Sequence, residues 1–104
     1  MPAEALKGHL DALVLAIVAA GPAHGYSIME QLRVRSGGVF DLPEGTIYPA
    51  LHRLEGAGLL DSIWTTEHGR RRRIYHLTGK GRDALGARRA DWQEFSRAVG
   101  AVLA

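Results

Sequence analysis

The segment LPEGTIYPALHRLEGAGLL, residues 42–60, is the stretch that decides the fold of this 104-residue chain. Its apolar residues recur at helical spacing and leave the opposite face polar. The segment GRRRRIYHLT, residues 69–78, follows after a short strand-like run and has four consecutive arginines after its first glycine. A helix with one polar face followed by a basic hairpin predicts the recognition helix and wing of a winged helix-turn-helix, a DNA-binding module.

Glycine and proline residues divide the rest of the chain into further predicted elements. One helix is expected from about residue 6 to residue 20, where Gly21-Pro22 ends it, and a second from about residue 25 to residue 35. The predicted hairpin pairs residues 59–66 with residues 70–77.

The last predicted helix is capped by Thr78 and runs to the C-terminus. The predicted fold is therefore mainly α with a small β-hairpin. It consists of a winged helix-turn-helix DNA-binding domain over residues 1–77 and a C-terminal dimerisation helix over residues 78–104.

The start of the predicted recognition helix is open between two interpretations. Asp41 followed by Glu44 resembles a capping box, but this start places Pro49 in the helix interior at a cost of about 3 kcal/mol. Capping by Thr46 places Pro49 in the first turn, where its missing N–H costs little. A late start at Thr46, or a helix bent at Pro49, is the favoured interpretation.

Composition and motifs exclude several classes of protein. The chain has no cysteine, which is consistent with a reducing cytoplasm, and its apolar runs are too short to span a bilayer. Its five histidines are scattered over different elements, and neither a nucleophile elbow nor a phosphate-binding loop is present. We therefore expect a cytoplasmic protein that is not an enzyme and needs no metal or cofactor.

Basic residues are concentrated in one part of the chain. The net charge is only +2, yet six basic residues and no acidic one lie between Arg70 and Arg82. Such local density attracts a polyanion more strongly than the total charge suggests. Alternate residues of a strand face opposite sides, so at most about half of the four consecutive arginines are expected to touch one DNA surface, unless the tip of the hairpin curls.

The exposed side of the predicted recognition helix carries the candidate base contacts. Arg53 suits a bidentate contact to guanine, and His52 suits an acceptor on a base edge. Tyr48 has a hydroxyl for a phosphate and a ring for a thymine methyl group, although packing of Tyr48 against the second helix is the alternative. The predicted DNA-binding residues are Tyr26, Thr46, Tyr48, Pro49, His52, Arg53, Arg70, Arg71, Arg72 and Arg73.

The last helix carries an apolar seam. Leu85, Trp92 and Val99 recur every seven residues, and Phe95 and Val102 repeat on the adjacent row. The helix can fold back on its own domain, but the core already needs the first helix, so dimerisation is favoured. The predicted dimerisation residues are Leu6, Leu10, Leu85, Trp92, Phe95, Val99 and Val102. A two-fold dimer requires a palindromic DNA site.

These segments resemble the PadR family of bacterial transcriptional regulators, in particular its short members with one C-terminal helix. The resemblance is carried by residues 24–26 (HGY), residues 42–55 (LPEGTIYPALHRLE), residues 58–60 (GLL) and residues 69–78. It implies a homodimeric repressor that binds a palindromic operator in double-stranded DNA.

Some members of that family bind aromatic or cationic compounds between their C-terminal helices, and Trp92 matches that location. Two interpretations of Trp92 are open: it stacks on a small-molecule effector, or it fills the dimer interface. The alternative to operator recognition is a winged helix that binds RNA or a protein partner as an adaptor.

Overall fold

Four helices and three strands are described by the computed structural model, which covers Leu6 and residues 8–104. In chain order they are α1 (Leu10–Ala20), β1 (Ala23–His24), α2 (Gly25–Arg35), α3 (Glu44–Gly56), β2 (Leu60–Glu67), β3 (Arg70–Leu77) and α4 (Gly79–Leu103). The prediction of a mainly α fold with a small β-hairpin is confirmed. Residues 1–5 and Lys7 of the predicted first domain lie outside the described residues, and Lys7 also belongs to the predicted first helix.

The first helix begins later than the sequence indicated. Leu6 is helical, but Gly8 and His9 form a turn, and the continuous helix α1 starts at Leu10. The His9 N–H donates to the carbonyl of Leu6 at 2.8 Å and closes that turn. Glycine favours this interruption because it gains little from a helical backbone.

The late start predicted for the recognition helix was wrong. Helix α3 begins at Glu44 with Pro43 as its N-cap, so neither Thr46 nor Asp41 caps it. Pro43 has the extended backbone of an N-cap, and its carbonyl accepts from the N–H of Thr46 at 2.9 Å. Pro49 consequently lies inside the helix, where it removes the N–H that would bond to the carbonyl of Gly45. Gly45 is exposed, so water can satisfy that carbonyl.

The wing is a two-stranded hairpin with a third, short strand beside it. The strand order is β1-β3-β2 and both pairings are antiparallel. His68 and Gly69 form the two-residue turn with φ of 50° and 76°. Two consecutive positive φ angles match the tight hairpin turns whose twist suits the flanking strands, and glycine adopts the second without strain. The strand β1 was not predicted because two residues are too short to show a period.

The core is built around α1, which packs against α2, α3, α4 and β3. Val14 and Leu15 of α1 are fully buried, as are Ile28 of α2 and Leu51 of α3. Leu85 of α4 is also buried within this core, with only 2% of its surface exposed. Its assignment to the dimer seam is therefore corrected, because the single chain already covers it.

Helix α4 leaves the domain after its first turns. The Thr78 side chain accepts from the N–H of Gly81 at 3.0 Å, which confirms the predicted cap. The Thr78 hydroxyl also contacts the carbonyl of Gly58, 2.7 Å away, which attaches the start of α4 to the end of α3. A helix of 25 residues is about 37 Å long, and the chain reaches 53 Å in its longest dimension. In the part of the chain that the structure describes, we find no helix long and apolar enough to cross a membrane.

Candidate nucleic-acid interface

A groove of about 760 Å³ lies between α3 and the wing. Its lining brings together seven of the ten predicted DNA-binding residues: Tyr26, Tyr48, His52, Arg70, Arg71, Arg72 and Arg73. Thr46 and Pro49 lie on α3 outside the groove, Pro49 exposed and Thr46 half-buried. Strand pairing places the arginines of β3 beside the N-terminus of α2 and the exposed side of α3. Four arginines and one carboxylate, that of Glu44, line the groove, so its formal charge is positive and we call it electropositive.

Arg70 and Arg71 are the exposed cations of the wing. Arg71 lies over the indole of Trp64, with its guanidinium carbon 4.5 Å from the ring centroid. Trp64 itself is 56% exposed, so the stacked guanidinium remains open to solvent on its other side. Stacking restricts the flexible arginine without using its hydrogen-bond donors, which stay available for a phosphate.

Trp64 was not among the predicted site residues, although the alternation of the strands contains a signal for it. Trp64 pairs with Arg73 and Thr66 pairs with Arg71 across the hairpin, so all four share one face of the sheet. The sequence shows this only once the register is known.

Arg73 is held by acceptors inside the protein. Its Nη2 donates to Oε1 of Glu55 at 2.9 Å, and its Nε donates to the Ser62 hydroxyl at 2.7 Å. The Ser62 hydroxyl in turn donates to Oε2 of Glu55 at 2.5 Å. These three bonds close a ring between α3 and the wing. Arg73 is thus corrected from a DNA contact to a residue that holds the wing against α3.

Arg72 approaches His24, which lies at the N-terminus of α2. Arg72 Nη1 is 2.7 Å from Nε2 of His24, while the Ser27 N–H donates to Nδ1 at 3.2 Å. A neutral imidazole has a single acceptor nitrogen, so it satisfies one of these two donors at a time. Burial, and then the positive charge of Arg72, lower the pKa of His24 below 6.5. The ring is accordingly neutral and serves as the N-cap of α2.

Arg53 turns away from the groove. Its Nη2 donates to Oδ1 of Asp11 on α1, and the two side chains form an ion pair. This bond holds the Arg53 guanidinium against α1. The predicted base contact is therefore corrected, because Arg53 lies in the last turn of α3 and faces α1 instead of the wing.

Tyr48 packs against α2, which agrees with the alternative interpretation of this residue. A Cβ built on Gly25 would lie 2.6 Å from the Tyr48 ring, so only glycine permits this approach. Tyr48 nevertheless remains 36% exposed, and it lines the groove beside Tyr26, which is 64% exposed. His52 is exposed one turn further along α3.

A second groove, of about 640 Å³, separates α4 from the start of the chain. Trp92 lines it and meets His9 edge-on with their ring centroids 5.1 Å apart. Leu6 also lines this groove, whereas Leu10 packs on the core. The remaining seam residues are exposed on the single chain: Trp92 52%, Phe95 58%, Val99 37% and Val102 85%.

Comparison with known proteins identifies relatives along nearly the whole chain. Residues 14–87 match the model of the transcriptional regulator PadR-like family. A protein named as a transcriptional regulator, Rv3488 of Mycobacterium tuberculosis, is 40% identical over 86 residues, which cover 83% of this chain and 78% of that protein.

Solved structures show the same fold. A PadR family transcription regulator from Clostridium difficile superposes with a TM-score of 0.82 at 33% identity, covering 92% of this chain and 99% of that one. A PadR-like transcriptional regulator from Bacillus cereus superposes with a TM-score of 0.86 at 28% identity, covering 97% of each chain.

Proposed function

This chain belongs to the PadR-like family of transcriptional regulators and is not an enzyme, and we propose that it is a homodimeric repressor of a palindromic operator. Each protomer presents α3 to the major groove of double-stranded DNA, while its wing contacts the phosphate backbone. A small apolar effector with an aromatic ring binds beside Trp92 and releases the DNA. The protein works in the cytoplasm.

The observation that carries this proposal is the electropositive groove between α3 and the wing. Arg70 and Arg71 line it with exposed guanidinium groups, and Tyr26 and His52 add exposed polar atoms from two helices. Phosphate contacts supply most of the affinity of such an interface, whereas contacts to base edges supply the specificity. We assign the base contacts to Thr46, Tyr48, Pro49 and His52, which lie in the first two-thirds of α3.

The proposed dimer uses the exposed part of α4. Trp92, Phe95, Val99 and Val102 form an apolar row on a helix that projects from the domain. An apolar row of this kind is unfavourable in water, and a second copy of the same helix covers it symmetrically. Two-fold symmetry then sets two recognition helices against two half-sites of a palindrome.

The proposed effector site is the groove beside Trp92. Its volume of about 640 Å³ lies within the range that small ligands occupy, and its lining is mainly apolar. His9 and Phe95 flank the indole, so a planar ring has aromatic surfaces on which to stack. Because the groove adjoins the dimer row, an occupant there changes the separation of the two recognition helices.

The decisive experiment is a titration of the protein against duplex DNA from upstream of its own gene, at two salt concentrations and with a scrambled duplex as control. We expect two chains per site, a preference over the scrambled duplex of at least about a thousandfold, and steep weakening with salt. Equal affinity for both duplexes would contradict operator recognition, and one chain per site would contradict the dimer.

The effector proposal is tested by Trp92 fluorescence in a Trp64→Phe background, which leaves Trp92 as the single tryptophan. A panel of planar apolar compounds should include members that quench this fluorescence and weaken binding to the preferred duplex. A Trp92→Leu variant that still dimerises is the matched control, because it keeps the apolar surface and removes the ring. An unchanged spectrum across the panel would contradict the effector site.

A further inference from the structure

Asp11 forms ion pairs with two arginines, which lie on two different helices. It lies in the first turn of α1, which packs against both α3 and α4. Its Oδ1 accepts from Arg53 of α3, and its Oδ2 lies 4.0 Å from Nη2 of Arg88 of α4. The Asp11 side chain is 24% exposed, so it is less screened by water than either arginine.

The two arginines share this carboxylate through different oxygens, so a shift of the carboxylate toward one arginine lengthens its contact with the other. One negative charge faces two positive charges, and the described ion pairs give Asp11 no other partner than these two. Arg53 makes a direct hydrogen bond, whereas Arg88 stands at the limit of an ion pair. A small displacement of α4 toward α1 therefore draws Asp11 to Arg88, and a displacement away leaves Asp11 wholly to Arg53.

We propose that Asp11 is a positioning residue that couples the C-terminal helix α4 to the orientation of α3. The coupling rests on the proposed function, in which α3 reads DNA and α4 joins the dimer. By holding Arg53, Asp11 fastens the last turn of α3 to α1, which presets the direction in which Tyr48 and His52 face the DNA. Preset geometry of this kind raises affinity because less ordering remains to be done on binding.

Arg88 gives α4 its influence on that bond. It lines the groove beside Trp92 as well as facing Asp11. An occupant of the groove, or a shift at the dimer seam, that pushes Arg88 toward Asp11 weakens the hold of Asp11 on Arg53. The position of α4 thus affects the orientation of α3 through the Asp11 carboxylate, which contacts arginines of both helices.

The test compares Arg88→Gln with Arg89→Gln in the wild type and in Asp11→Asn. Both glutamine variants lose one positive charge from neighbouring positions that line the same groove, but only Arg88 lies within 4.0 Å of Asp11 among the described ion pairs. Asp11→Asn should weaken binding to the preferred duplex by about twofold to fivefold, the scale of one partly exposed ion pair. In the wild type, Arg88→Gln should bind about twofold more tightly than Arg89→Gln.

That difference should vanish in the Asp11→Asn background. A difference of the same size with and without Asp11 would overturn the coupling. Thermal unfolding without DNA supplies a second readout, in which Arg88→Gln should melt about 1 to 4 °C below Arg89→Gln only when Asp11 is present. Dependence on Asp11 in the melting temperature alone, with none in DNA affinity, would reduce Asp11 to a structural residue and overturn the proposal.

Failure of the proposed function is distinguishable from failure of the coupling. A wild-type protein without any sequence preference would contradict operator recognition itself. When the wild type keeps its preference for the operator duplex, an equal difference in DNA affinity between Arg88→Gln and Arg89→Gln in both backgrounds would contradict the coupling alone.

Discussion

Arg71 and Arg73 lie two residues apart on the same face of the same strand, yet their surroundings differ. Arg71 is exposed and stacks on Trp64 without using its hydrogen-bond donors on a protein acceptor that the structure describes. Arg73 donates hydrogen bonds to Glu55 and Ser62. The difference arises from their positions along the strand. Arg73 lies within reach of the end of α3, while Arg71 lies nearer the hairpin tip. Two arginines of one strand can therefore have different roles. Arg73 fixes the wing to α3, while Arg71 stays available to a ligand.

Removal of the free arginines should have the largest effect on DNA binding. The variant Arg70→Gln with Arg71→Gln should bind the preferred duplex at least about tenfold more weakly, because it neutralises fewer phosphates and so releases fewer counterions. The slope of log affinity against log salt should become shallower by about one for each phosphate left without its arginine. The unfolding free energy should stay within about 0.5 kcal/mol of wild type.

The control for that variant is the pair Arg89→Gln with Arg97→Gln, which removes the same charge from exposed positions on α4. An equal loss of affinity in the control would show that net charge, and not the position of the wing arginines, determines binding.

Removal of Arg73, the arginine held by Glu55, should instead lower the stability of the fold. Arg73→Gln leaves the partly buried Glu55 carboxylate without its cation and should lower the unfolding free energy by about 1 to 2 kcal/mol. Urea unfolding measures this loss, and Glu55→Gln added to Arg73→Gln should restore part of it. If Arg71→Gln were as destabilising as Arg73→Gln, the division between free and anchored arginines would be wrong.

The stacking of Arg71 on Trp64 should have a smaller effect on DNA affinity. Trp64→Leu keeps an apolar side chain but removes the ring, and should weaken DNA binding by about twofold to fivefold because Arg71 loses its restraint. Ile63→Leu is the matched control, since Ile63 is equally exposed, at 56%, but lies on the face opposite Arg71 and outside the lining of the groove. A loss of affinity in both variants would point to the hairpin itself.

Arg72 differs from both the exposed arginines and Arg73, because its partner, His24, is titratable. The lowered pKa of His24 means that folding disfavours the protonated ring, so the contribution of neutral His24 is complete above pH 6.5 and is lost as the pH falls below that value. His24→Asn keeps an acceptor for the Ser27 N–H and does not titrate. The wild type should therefore lose stability relative to His24→Asn on acidification, as measured by urea unfolding at a series of pH values. Parallel pH profiles of unfolding for the two proteins would contradict this assignment.

Much of the fold follows from local signals. Gly21-Pro22 ends α1, Thr78 caps α4, and the tight turn at Gly69 reverses the hairpin, so each boundary depends on residues near it in sequence. The start of α3 escaped prediction because Pro43 caps it without a side-chain hydrogen bond. Proline has the extended backbone of an N-cap but no polar side chain, so the usual sequence signal for a helix start is missing.

The sequence by itself determined the class of protein, the order of its helices and hairpin, and seven of the residues that line the groove. Helical period, glycine and proline stops and a run of arginines act over a few residues, and they do not depend on distant partners. Only the tertiary structure decided which arginines remain free. Arg53 meets Asp11 and Arg73 meets Glu55 across gaps of 42 and 18 residues. Leu85 likewise belongs to the core and not to the seam, because α1 covers it. Pairing of a charge or burial of a side chain is a property of packed surfaces, and packing brings together residues that no local pattern relates.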